Sequence, residues 1–150
     1  MQWLVFLWAL VPFIELRGSI IFAVAAGYKP MDAFIISVAL NILAIPISFA
    51  LLDFIVPPLK RRFATIKRLY AWAVRRVQKH RNLGLVGLAI FVGVPLPVTG
   101  AYTGSLLAHI AGMERKSAAI AIAVGVVIAG ALLWLLATLG VFFIEGLTPT

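Results

Sequence analysis

Glu15 and Arg17, a carboxylate and a guanidinium two positions apart, interrupt an otherwise apolar stretch between Pro12 and Gly18. A charge at the centre of a bilayer costs about 2.5–3.5 kcal/mol by insertion scales, so such residues face a polar interior and imply function. Arg17 suits binding of a phosphate, and Glu15 suits carrying a proton. Two residues apart they share no helix face; an unwound turn would let both point into one cavity, and a structural ion pair or a shallow hairpin whose tip stays near water is the alternative. A second stretch carries Pro95, Pro97, Thr99, Gly100, Tyr102, Thr103 and Ser105. Its hydroxyls surround glycines, and the N-terminus of a broken helix there would offer free backbone donors to an anionic group. His109 lies on the arm leaving it; a packed, hydrogen-bonded histidine is expected, with a proton relay as the alternative.

The two stretches correspond. Pro12 matches Pro97 and Gly27 matches Gly112 at one offset, 85 positions. In each, proline removes a backbone donor inside an apolar run and glycine permits a turn. Bare backbone at membrane depth is tolerated only where protein or a water-filled cavity satisfies it. A pair of broken apolar segments in matching halves points to a transporter's substrate site.

Composition sets the surroundings. Of 150 residues, 63% are hydrophobic and mean hydropathy is +1.10, well beyond the ~45–50% of soluble domains. This is an integral membrane protein. Residues 33–56 and 117–144 exceed the ~20 residues needed to cross the hydrocarbon core and are expected to span it, the first with a kink at Pro46. Between Pro57 and Arg81, apolar residues fall on one helical face and cations on much of the rest. That pattern predicts a helix over 57–81, starting at Pro57-Pro58, that lies in the membrane interface.

Charge placement decides the path. Net charge is +8, and eleven of the thirteen Lys and Arg lie in 60–81 or at Arg115-Lys116. If 83–112 enters and leaves on one face, all eleven share one side, as the positive-inside rule requires. The expected fold is an all-α integral membrane domain over 1–150 with two inverted repeats. Each repeat is a re-entrant hairpin (3–28, 83–112) plus a transmembrane helix, and the basic amphipathic helix joins them. The multi-pass chain is expected in the cytoplasmic membrane, with the basic helix inside and both termini outside.

Several classes are excluded. Without cysteine there are no disulfides or thiolate sites. Two histidines and five acids supply no metal cluster, and no phosphate-cradling glycine loop is present. No cofactor and no metal is expected, and no nucleophile–base pair marks an enzyme. The basic run is read as binding anionic lipid rather than nucleic acid. The start of the chain lacks a basic n-region, so a cleaved signal peptide is not expected. Ala121, Gly125, Ala129 and Gly130 read as a packing face. With two full crossings per chain, a closed pathway calls for a homodimer.

Pro12-Phe13-Ile14-Glu15-Leu16-Arg17-Gly18 with Ala26-Gly27-Tyr28, and Val94-Pro95-Leu96-Pro97-Val98-Thr99-Gly100-Ala101-Tyr102-Thr103-Gly104 with Gly112, resemble the prokaryotic family labelled "putative small multi-drug export protein". That family in turn is similar to the DedA superfamily, which has two opposed re-entrant hairpins, each followed by a spanning helix. The resemblance implies movement of lipids, notably a polyprenyl-phosphate carrier, with proton coupling. It assigns the hairpin acid to Glu15 and the second hairpin's proline to Pro95 or Pro97. DedA proteins carry an arginine just after that proline, where this chain has Val98 and Thr99, and Arg17 is the candidate substitute. The expected function is therefore DedA-like translocation of a lipid or lipid-linked phosphate. A small-cation or drug exporter and a non-transporting scaffold are the alternatives.

Overall fold

The computed structural model describes residues 15–78, 81–94 and 100–147, with side chains except at 15–18, 73, 76–78, 81 and 141–147. Among the described residues there are six helices and no strand. They are α1 (Glu15–Ala25), α2 (Pro30–Arg62), α3 (Ala64–Gln78), α4 (Arg81–Gly93), α5 (Ala101–Ile110) and α6 (Arg115–Leu147).

α2 and α6 each have 33 residues, about 50 Å at 1.5 Å per residue, and both are long and apolar enough to cross a membrane. Each begins just after a tight turn. Gly27 (φ 91°) and Gly112 (φ 64°) adopt left-handed backbone, which glycine reaches without a Cβ penalty. Gly27 N–H donates to the Val24 carbonyl and Tyr28 N–H to that of Ala23; Gly112 and Met113 donate likewise to His109 and Ala108. These are paired Schellman caps. Lys29 and Glu114 then accept the first helical bonds, from Ala33 and Ala118. The offset of 85 therefore holds for both turns and for the starts of both long helices. It also relates the buried alanines Ala23 and Ala108, Ala33 and Ala118, and Ala44 and Ala129.

Side-chain contacts give the directions. Arg115 of α6 meets Asp53 of α2, while Gly130 lies against Phe34 and Val38, so α2 and α6 are antiparallel. α4 runs beside α6 in the same sense: Leu85 and Ala89 border one shallow recess with Ser117 and Ala121, and Gly93 lies against Ile128. α5 runs parallel to α2, with Ser105 against Ser48 and His109 against Asp53. α4 and α5 thus point in opposite directions, with both outer ends near the start of α6. The level reached by Gly93, at Gly125–Ile128, is about 15–20 Å along α6 from Arg115.

One core joins five helices: Ile20 of α1, Val38, Ile45 and Phe49 of α2, Leu88 and Val92 of α4, Ala101 and Ala108 of α5, and Ala118, Ile122, Val126 and Ala129 of α6. Small residues let the backbones approach. A Cβ on Gly125 would lie 2.7 Å from the Ala89 carbonyl oxygen, and one on Gly104 would lie 2.7 Å from Val92. The outward faces of α2 and α6 are apolar, with Phe54 83% and Ile120 66% exposed. Apolar surface on that scale suits a hydrocarbon surround.

The basic amphipathic helix begins later than expected. α2 runs straight through Pro57 and Pro58 to Arg62, and the break falls at Phe63 (φ −124°, ψ 109°). The two prolines remove only the bonds that would reach the Asp53 and Phe54 carbonyls, and their fixed φ fits a helix. α3 still has the expected two faces. Tyr70 is buried and Ile66 and Val74 half-buried, while Lys67, Arg68 and Arg75 are exposed.

Candidate functional site

The densest polar contact among the described residues ties four helices together at the end where α2 finishes and α6 begins. The Asp53 carboxylate uses both oxygens. Oδ1 lies 3.3 Å from His109 Nε2, and Oδ2 lies 2.5 Å from Arg115 Nη2. On the other side of the ring, the Tyr70 hydroxyl is 3.4 Å from Nδ1, with the two rings edge to face at 5.8 Å. One tautomer satisfies the whole chain: Tyr70 O–H donates to Nδ1, and Nε2–H donates to Asp53. Lys60 Nζ sits 3.6 Å above the Tyr70 ring, a cation–π contact. Asp53 and Lys60 are two turns apart on α2 and hold α5 and α3 respectively. Burial pushes the Tyr70 hydroxyl above its ordinary value of 10.0, since the phenolate would be poorly solvated there.

Deeper along α2 lies a second polar row. Ser37, Asn41 and Ser48 are buried, at spacings that keep one helical face, and Ser105 on α5 and Ser19 on α1 are buried too. Ser48 Oγ and Ser105 Oγ are 2.6 Å apart, and Ser105 Oγ–H also reaches the Ala101 carbonyl at 2.7 Å. Ser37 Oγ has no hydrogen-bond partner among the described residues. Asn41 is twelve residues from Asp53, about 18 Å along the helix. Buried polar groups at that depth are costly in hydrocarbon and mark a polar interior.

The residues expected from sequence divide unevenly. Pro12, Pro95, Pro97 and Thr99 lie outside the described residues. Glu15, Arg17 and Gly18 stand on the helical backbone of α1, with side chains outside the described set. They are helical, not unwound, which corrects the expected turn. Residues 15–25 contain no proline, and the lone Gly18 does not stop the helix. Gly100 is the N-cap of α5, in extended backbone. Tyr102 and Thr103 follow in its first turn, half-buried.

Sequence reasoning passed over Asp53, Tyr70, Lys60 and Arg115 as a group. The available signal was an acid near the end of a spanning helix, in a chain with only five acids. Gly104, half of the G-x-x-x-G spacing with Gly100, serves close packing against Val92 and Ile122.

Two long apolar helices, apolar outward faces and a buried polar row define a small helical membrane protein. Its family model agrees. The chain belongs to the family described as "Putative small multi-drug export protein", whose model matches residues 15–132. No curated protein and no solved structure matches it. The family match alone does not reach the DedA superfamily.

Proposed function

We propose that the protein is a membrane transporter built of two inverted halves. Each half is a hairpin dipping part way into the bilayer, followed by a full crossing. The observation that carries this reading is the common offset of α1–α2 and α5–α6, together with the antiparallel α2 and α6. The packing is reciprocal: α1 lies on α6 as well as on α2, and α5 on α2 as well as on α6. Inverted repeats of this kind favour alternating access around a site at mid-membrane. The limited reach of the α4–α5 pair along α6 supports entry and exit from one face. With the cations of α3, of the last turn of α2 and of the first turn of α6 at that end, the face is cytoplasmic.

The substrate in this reading is an amphipathic anion, a lipid or lipid-linked phosphate of polyprenyl-phosphate type. The buried polar groups along the interior are neutral, and Asp53 is engaged by Arg115 and His109, so no free acid awaits a cation among them. Arg17 and the start of α5 at Gly100 bind the headgroup, and Glu15 carries a coupling proton. A second copy closes the pathway. Reconstituted protein should exchange labelled polyprenyl phosphate between leaflets, and Arg17→Ala should lose that activity. Equal rates for the variant and wild type would remove the assignment.

The family's description favours one other reading, export of small drugs. Proton-driven uptake of a lipophilic cation into inverted vesicles, lost in Glu15→Gln, would establish it instead.

A further inference from the structure

An apolar groove opens between α3, α4 and α5, on the other side of α5 from Asp53. It has about 550 Å³ of free volume, within the ~300–1,000 Å³ of ligand sites. Leu69 and Trp72 form one wall, Phe91 and Leu107 the others, and Gly84 and Gly87 leave its floor open. A Cβ on Gly87 would meet nothing within 4 Å. Unlike Gly104 and Gly125, this glycine admits no neighbouring helix, so its missing side chain keeps space open. Empty space beside hydrocarbon forfeits dispersion contacts, and a hydrocarbon chain would restore them.

What lies at the groove's edge selects the lipid. α3 carries Lys67, Arg68, Arg75 and Arg76 and no acid. Arg68 is exposed, one turn before Trp72 on the same face, so a cation stands beside the apolar wall. An aromatic wall at an interface with a cation next to it fits a lipid with a phosphate head and a hydrocarbon tail.

We infer that this groove holds the tail of the anionic lipid, with its phosphate beside Arg68, before the lipid enters the transport path. The inference rests on the anionic-lipid reading above and adds a docking site to it.

The test is photolabelling of the full chain in phosphatidylcholine vesicles. One probe is an isoprenoid monophosphate with a diazirine in its tail; the control is a diazirine-tailed phosphatidylcholine. The phosphate probe should label Trp72, Phe91 and Leu107 above the control. Gly87→Leu should reduce that labelling to the control level, and Gly87→Ala should retain it. Leu69→Trp, narrowing the opposite wall, should repeat the loss if Gly87→Leu fails to fold. Arg68→Gln should weaken labelling by the phosphate probe alone. Equal labelling by both probes, or labelling indifferent to Gly87→Leu and Leu69→Trp, overturns the inference. Leaflet exchange is measured separately on the same vesicles. Groove labelling without exchange leaves the docking site standing and removes transport, whereas exchange without groove labelling does the reverse.

Discussion

The imidazole of His109 bridges the Asp53 carboxylate, 3.3 Å from Nε2, and the Tyr70 hydroxyl, 3.4 Å from Nδ1. One ring thereby joins α2, α3 and α5.

The two partners of Asp53 should differ in weight. The Arg115 side chain is 64% exposed, against 18% for His109. Exposed ion pairs contribute about 0–1 kcal/mol, whereas a part-buried hydrogen bond to a charged group contributes about 1.5–3 kcal/mol. Arg115→Ala should therefore change stability by less than about 1 kcal/mol, and His109→Ala by more. Denaturation in detergent checks this; a larger loss for Arg115→Ala would contradict it.

Glycine substitutions on adjacent helices should have opposite signs. Gly125→Ala places a methyl 2.7 Å from a backbone carbonyl, an overpacking that costs about 1–3 kcal/mol. Gly87→Ala meets open space and gains up to about 1 kcal/mol of helix propensity. Melting temperatures of the two variants test the contrast.

Tyr70 should make the fold sensitive to alkali. Its folded-state value lies above the ordinary 10.0. As pH rises past that value, the unfolded chain releases the proton first, and the folded state loses ground until its own, higher value is passed. Stability followed from pH 8 to 11 should fall more steeply in wild type than in Tyr70→Phe. Parallel curves would mean that the hydroxyl is not buried as described.

The polar contact between Ser48 and Ser105 should be worth little in net terms. Each hydroxyl also reaches a carbonyl of its own helix, Ile45 and Ala101, so removing one leaves the other satisfied. Ser105→Ala should cost about 1 kcal/mol or less. A double-mutant cycle with Ser48→Ala measures their coupling.

The paired turns could be read before the fold because their markers are local. Gly27 and Gly112 require left-handed backbone, and a glycine closing an apolar arm announces that wherever it stands. The same local logic misplaced the start of the interfacial helix: two consecutive prolines look like a beginning, yet their φ lets α2 continue to Arg62. It also unwound Glu15 and Arg17, which stand on helical backbone. The His109 contacts were beyond reach for another reason. Asp53 is 56 residues away and Tyr70 39, and only the packing of α5 on α2 and α3 brings them together. A lone histidine in an apolar arm carries no sign of its partner.

The account depends most on the α4–α5 pair entering and leaving by one face while the α1–α2 turn faces the other. The chain has no cysteine, so Lys29→Cys, Asn82→Cys and Glu114→Cys can each be probed with an impermeant maleimide from either side of sealed vesicles. The prediction is that Asn82→Cys and Glu114→Cys react from the cytoplasmic side and Lys29→Cys from the opposite side. Labelling of positions 82 and 114 from different sides would contradict it and dissolve the paired halves.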